Sequence, residues 1–256
     1  MAPMNDRDDP YRDADLYDLE YADMFEDVAY YAAIAAQTEG PLLELACGTG
    51  RLTLPMSRTT SIVAVDRSPA MLDGCRRKMV SVPPSQARRI ELLEGNFLDL
   101  RLGRTFHTVL WPFNALHHCR NDHELHAAIQ TLAVHTAPGG CVALDAYLPD
   151  VALYDRDPNE RFEERTLFEA KTGRSMETWE QGWWDAETRT HHVVYHYQYL
   201  DGRLEKAHLR FTMWELPELH RAFEEAGFRL EYEASDFRSA PIEPSSLKWV
   251  ATFTRP

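Results

Sequence analysis

The stretch Glu44-Leu45-Ala46-Cys47-Gly48-Thr49-Gly50-Arg51, preceded by Leu42-Leu43, decides how the rest of the chain is read. An apolar run short enough for a buried strand breaks into a turn with two glycines, and helical spacing resumes behind it. Glycines in such a turn let backbone N–H groups approach a ligand closely, and the helix N-terminus adds a partial positive charge there. A dinucleotide site needs a third glycine, but Thr53 stands at that position, and Glu44 places an acid where such sites carry none.

Outward from this turn the chain alternates strand and helix. Tyr17 to Gln37 has apolar residues at helical spacing and predicts a helix that stops at Thr38-Glu39-Gly40-Pro41. Ser61 to Asp66 reads as a second strand, followed by a helix from Ser68 to Val80 with Pro69 in its first turn. Ile90 to Glu94, Thr108 to Trp111 and Gly140 to Tyr147 supply three more strands, with His123 to Thr136 helical between the last two. Alternation of this kind means a parallel sheet covered on both faces, with ligands collecting at the carboxyl ends of the strands.

The pattern then changes. Ser175 to Trp184, Thr190 to Leu200 and Arg203 to Trp214 alternate polar and aromatic residues, with Asp201-Gly202 as a hairpin turn. Pro217 to Ala226 predicts a helix stopped by Gly227, and Arg229 to Ala234 and Lys248 to Thr254 predict two closing strands. The expected fold is α/β: a Rossmann-like, seven-stranded, mostly parallel sheet with helices on both faces, plus an antiparallel lid between the fifth strand and the last helix. Residues 1–40 form an N-terminal helical cap, 41–150 and 215–256 the core, and 151–214 the lid.

Of the 256 residues, 41 are Asp or Glu against 27 Lys or Arg, a formal charge of −14 that repels phosphate backbones and argues against a nucleic-acid partner. No apolar run approaches the roughly 18 residues that a membrane span needs. Residues 1–9 are polar and acidic, unlike a secretory or transit segment, so a cytoplasmic location is expected. Cys47, Cys75, Cys119 and Cys141 are too far apart for a CxxC clip and read as reduced thiols near the core. His117, His118, His123 and His126 mix loop and helix spacing without an acid pair, so no metal is expected.

With Asp66 ending the second strand, where its two oxygens can accept from ribose hydroxyls, and Gly95-Asn96-Phe97 following the third, the chain resembles class I methyltransferases that use S-adenosylmethionine. It is most similar to the small-molecule subgroup containing glycine N-methyltransferase and the TDP-aminosugar N,N-dimethyltransferases. The likeness extends to Leu16-Tyr17-Asp18, to Phe113-Asn114-Ala115-Leu116-His117-His118 and to Arg210-Phe211-Thr212-Met213-Trp214. It implies S-adenosylmethionine as cofactor, held by Tyr17, Glu44, Ala46, Gly48, Gly50, Arg51, Asp66, Arg67, Met71, Asn96, Phe97, Trp111 and Phe113. Asn96 stands where the family usually has an Asp, and its amide oxygen can still accept from the adenine amino group.

The sulfonium cofactor carries an activated methyl, so alignment of a nucleophile and exclusion of water are the main demands on the protein. An amine must be neutral to attack, and His118 or His117 is the expected base, with Tyr17 beside the methyl; the alternatives are a packed histidine and a packed aromatic stripe. Tyr21, Asn114, His117, Trp183, Tyr195 and Arg210 are the expected acceptor contacts. Aromatic faces interspersed with Glu177, Glu180 and Asp185 suit a cationic amine. Trp111-Pro112-Phe113-Asn114 lacks the Asp/Asn-Pro-Pro-aromatic motif of nucleic-acid amino-methyltransferases. The expectation is a methyltransferase acting on a small-molecule nitrogen, ahead of oxygen. The alternative is a non-catalytic cofactor-binding protein, and a homodimer through the antiparallel insertion is expected in either case.

Overall fold

A computed structural model describes residues 9–169 and 173–256; the acidic residues 1–8 read above lie outside the described part. Helices α1 (Ala14–Glu20) and α2 (Glu26–Gln37) lead into β1 (Leu42–Leu45) and the short α3 (Thr53–Met56). Next come β2 (Ile62–Asp66), α4 (Pro69–Met79), α5 (Pro84–Ala87), β3 (Ile90–Glu94), β4 (Phe106–Trp111), α6 (Asp122–His135) and β5 (Thr136–Tyr147). After α7 (Val151–Tyr154), strands β6 (Phe162–Glu169), β7 (Arg174–Asp185), β8 (Thr190–Tyr199) and β9 (Leu204–Thr212) follow. Helix α8 (Leu216–Glu225) and strands β10 (Arg229–Ala234) and β11 (Lys248–Thr254) close the chain.

Among the described residues the main sheet has seven strands in the order β10-β11-β5-β4-β1-β2-β3, parallel from β3 through β5 and antiparallel at β11 and β10. All four residues of β1 are buried, and they sort by parity. Leu43 and Leu45 join Val63, Val65, Val109 and the apolar faces of α6 and α8 on one side of the sheet. Leu42 joins Ile62, Ala64, Leu110 and, from α2, Tyr31 and Ala35 on the other. The chain runs from β1 outward to β3, then returns to β4 on the far side of β1, so the strand order reverses between β1 and β4. Such a reversal opens a crevice beyond the carboxyl ends of the two strands.

The expected single helix over Tyr17 to Gln37 is two helices. The chain turns at Tyr21 to Phe25, where no Gly or Pro marks a break, because the two segments pack on different partners. Ala14 of α1 seats on Gly74 of α4, where an added Cβ would lie 2.6 Å from the Ala14 Cβ. Tyr31 and Ala35 of α2 pack on the sheet. The second sheet also differs from expectation: among the described residues it has four strands, β6-β7-β8-β9, all antiparallel neighbours. Its edge strand β6 was not legible because Glu163, Glu164 and Arg165 interrupt any apolar alternation, as suits an exposed edge. Strands β4 and β5 start earlier than their apolar runs, pairing Phe106 with Thr136 before the regular register.

Gly50 closes the turn after β1 with φ at +79°, and a Cβ there would sit 2.5 Å from the Cys75 Sγ. Gly50→Ala combines left-handed backbone strain with overpacking and should cost roughly 2–4 kcal/mol, read as a lowered midpoint in urea unfolding.

Candidate functional site

The crevice is organised by two adjacent strand ends. Leu45 of β1 pairs with Val65 of β2, which brings the loop after β1 beside Asp66. Gly48, at φ +56°, donates its N–H to Asp66 Oδ2 at 2.8 Å, and Ser68 N donates to Oδ1 at 2.8 Å. Burial pushes the Asp66 carboxyl above its usual range, opposed by these bonds from Ser68 and Gly48. The backbone of Arg67 also bonds this carboxylate, and of its about four lone-pair positions at least one is left for a ligand hydroxyl. Ser68 also caps α4 and donates to the carbonyl of Tyr11, drawing the segment before α1 over the crevice.

The crevice is lined by Tyr11, Tyr17, Ala46, Gly48, Val65, Asp66, Arg67, Ser68, Gly95, Phe97, Pro112, Phe113, Ala115 and His118. Eight of these were expected from the sequence: Tyr17, Ala46, Gly48, Asp66, Arg67, Phe97, Phe113 and His118. Tyr11 was missed. Asp9 and Pro10, a helix cap followed by a first-turn proline, were the signal that could have placed it, since they start a 3-10 turn over Pro10–Arg12.

Other expected residues lie behind the wall. Met71 and Trp111 are wholly buried, the Trp111 ring edge-on to Phe97 at 5.4 Å. Gly50 packs on Cys75. Asn96 accepts from Leu98 N and lines a neighbouring cavity of about 480 Å³ together with Arg67, Phe97, His118 and Arg210. Glu44 faces the interior, where Thr53 donates to its Oε2 at 2.6 Å, so the residue in place of a third glycine serves the buried acid. Burial raises the Glu44 carboxyl to about 8.

Arg51 is committed to the protein. It donates to both Asp27 oxygens and to the Met24 carbonyl freed by the break between α1 and α2, and its guanidinium lies 4.3 Å over the Phe113 ring. Phe113 and Asn114 hold consecutive left-handed conformations, φ +57° and +59°. Asp145 at the end of β5 fixes them: Phe113 N donates to its carboxylate at 2.8 Å and Asn114 N to its carbonyl at 3.2 Å. Tyr31 donates to the same carboxylate oxygen at 2.6 Å.

The paired histidines part company. His117 is buried, donating from Nδ1 to the Thr212 carbonyl at 2.8 Å and accepting at Nε2 from Tyr147 N at 3.1 Å. Burial lowers it to about 4. With both ring nitrogens occupied by backbone, His117 ties β9 to β5 and is not free to take a proton. His118 faces the crevice with Nε2 2.8 Å from the Tyr11 hydroxyl, and burial lowers it to about 3.

Beyond Tyr21, a second cavity of about 660 Å³ lies between the seven-stranded sheet's loops and one face of the four-stranded sheet. Its walls include Tyr21, Tyr147, Tyr195, Phe211, Lys248 and Glu180. Tyr21 and Tyr195 hydrogen-bond through their side chains, and Asn114, buried behind them, bonds Tyr147. Strand parity decides which lid residues reach it. Tyr195 pairs with Glu180 and shares its face, whereas Trp183 pairs with His192 and stacks on it at 4.6 Å on the opposite face. Trp183 is therefore outside this cavity, and so is Arg210, which pairs with His192.

Residues 42–140 match a family model described as a methyltransferase domain. The chain is 29% identical over 142 residues to dTDP-3-amino-3,4,6-trideoxy-alpha-D-glucopyranose N,N-dimethyltransferase of Streptomyces venezuelae, covering 52% of this chain and 56% of that protein. It is 32% identical over 109 residues to the cypemycin N-terminal methyltransferase of a Streptomyces species, covering 42% of each. The chain thus spans about half the length of the curated relatives it matches. The fold is that of the CcbJ methyltransferase from Streptomyces caelestis, with a TM-score of 0.77 at 21% identity over 97% of this chain and 99% of that one.

Glu44 gives a pH signature. The folded chain holds a proton that the unfolded chain releases near 4.5, so stability falls as pH rises from there toward about 8. Glu44→Gln should flatten that decline, whose slope is at most about 1.4 kcal/mol per pH unit, in thermal melts between pH 5 and 8.

Proposed function

We propose that this protein transfers a methyl group from S-adenosylmethionine to a nitrogen of a small-molecule acceptor. The observation that carries the reading is the meeting of two spaces at Tyr17 and Tyr21. On one side is a crevice at the strand-order reversal, lined by Asp66 and Gly48. On the other is a tyrosine-lined, acid-bearing cavity under the lid. The relatives with matching sequence are named as an N,N-dimethyltransferase of an amino-trideoxy-glucopyranose and as an N-terminal methyltransferase of cypemycin. Among the described residues no helix is long and apolar enough to cross a membrane.

When bound, S-adenosylmethionine supplies a methyl already activated on a sulfonium sulfur. Asp66 would hold the ribose hydroxyls, the backbone of Ala46 and Gly48 the methionine portion, and Arg67 and Phe97 the adenine. Phe113, pinned by Asp145 and Arg51, separates crevice from cavity and keeps water from the path between them. His118, held neutral by burial, orients Tyr11 over the crevice. It is too weak a base to deprotonate an ammonium, so the acceptor loses its proton to solvent on entry.

The same reading includes a homodimer through the four-stranded sheet, whose edge strand β6 leaves Phe168 60% exposed. It also includes a cytoplasmic setting, which suits the four free cysteines.

Asp66→Ala should weaken binding of S-adenosylhomocysteine by roughly tenfold to a hundredfold, measured by calorimetry. Incubation with methyl-labelled S-adenosylmethionine and a panel of amines and phenols should label an amine; labelling of phenols alone would move the acceptor to oxygen. Cofactor binding without transfer to any member would favour a non-catalytic role. The rate should climb with pH through the acceptor's own pKa, with no inflection near 6.5 from a histidine.

A further inference from the structure

We propose that Glu20 is the anchor for the acceptor nitrogen, a role that rests on the methyl-transfer reading above. Glu20 ends α1, one turn after Tyr17 and next to Tyr21. It is buried, with its side chain 4% exposed. One oxygen, Oε1, is paired with Arg165 of β6, while Oε2 is buried and has no hydrogen-bond partner among the described residues. A buried carboxylate oxygen without a donor is costly, and a site that presents one selects a ligand able to supply an N–H, above all a charged one.

Glu20 stands in the right place. Glu20, Tyr21 and Tyr195 line both the cavity under the lid and a small gap that they share with Tyr17, and Tyr17 in turn walls the crevice. Glu20 thus stands between crevice and cavity, whereas the cavity's other acids are placed differently. Asp23 and Glu163 are exposed, and Asp150 is engaged in capping α7, accepting from Ala152 N. Glu180 lies across the cavity on β7, next to Tyr195 in register. Arg165 fixes the Glu20 carboxylate from the lid side, so the acceptor is gripped only when β6 is seated on α1.

The chemistry follows from this placement. A primary amine that has shed one proton to solvent keeps two N–H bonds; one donates to Oε2, which turns the lone pair toward the crevice. The lone pair forms the new N–C bond as the C–S bond breaks with its electrons going to sulfur. Positive charge passes from sulfur to nitrogen, where the Glu20 carboxylate stabilises it as it develops. The methylated ammonium leaves and gives up its proton in bulk water.

The test separates this assignment from methyl transfer itself. With S-adenosylhomocysteine bound, a panel of 2-amino sugars, amino-acid amides and phenethylamine is titrated calorimetrically beside the uncharged N-acetyl counterparts. Wild-type protein should prefer at least one amine to its acetylated form, and Glu20→Gln should weaken that amine by roughly thirtyfold or more while S-adenosylhomocysteine affinity stays within about twofold. Glu180→Gln should leave the preference in place. If Glu20→Gln does not fold, Glu20→Asp, which keeps the charge but withdraws the oxygen, should show the same selective loss. Absence of any amine preference in wild type, or a preference carried by Glu180 and untouched at Glu20, overturns the assignment. Loss of transfer in wild type with the Glu20-dependent preference intact overturns the methyl-transfer reading instead.

Discussion

The bond from Gly48 N to Asp66 Oδ2 is the constraint on which the crevice depends. It joins the loops after two neighbouring parallel strands, and it forms only because Gly48 adopts φ +56°. Once it is made, the loop after β1 cannot rise into the crevice, and the carboxylate presents its remaining lone pairs outward. The sheet register beneath, Leu45 beside Val65, holds the two loops level. Neighbouring features conform to that geometry. Helix α1 brings the Tyr17 hydroxyl within 3.8 Å of where a Gly48 Cβ would be, and the turn before it is tied down by Ser68 two residues past the same aspartate.

A second set of contacts makes the site two-sided. Arg51, Phe113 and Asp145 form a partition from three different elements. Arg51 also caps the carbonyl at the break between α1 and α2, so the bend that lays α1 across the glycine loop and the wall that divides the two spaces share one guanidinium. The pair with Asp27 is largely buried, with side chains 16% and 6% exposed. Its planar fork suits two carboxylate oxygens and an aromatic face at once, which a lysine could not serve.

Much of this was legible in the sequence where local chemistry is decisive. Strands β1, β2 and β3, the Ser68-Pro69 start of α4 and the Gly227 stop of α8 follow from apolar runs, caps and breakers, and those elements carry Gly48, Asp66 and Phe97 to one place. What escaped was set by tertiary partners. No residue between Tyr21 and Phe25 demands a bend; α1 and α2 diverge because one packs on Gly74 and the other on the sheet. Period-2 patterning placed Trp183 and Tyr195 on strands but could not say which face met the core, since both faces of β8 carry large side chains. Adjacent His117 and His118 look equivalent in sequence, yet backbone groups from β9 and β5 occupy both nitrogens of the first. Glu20 carries no local signal, since the Arg165 that pairs with it comes from β6, 145 residues along the chain.

The consecutive left-handed residues Phe113 and Asn114 mean that the partition stores conformational energy, on the order of 1–2 kcal/mol for each. Asp145 offsets it by supplying acceptors to both N–H groups. A glycine at either position would remove that strain, but it would also delete the Phe113 ring packed against Arg51 and Tyr21, or the buried Asn114 side chain, and widen the backbone's choice of conformations at the boundary between the two spaces. The side chains that hold the strained backbone in place are the ones that preorganise the boundary, so the strain cannot be relieved there without loosening the wall.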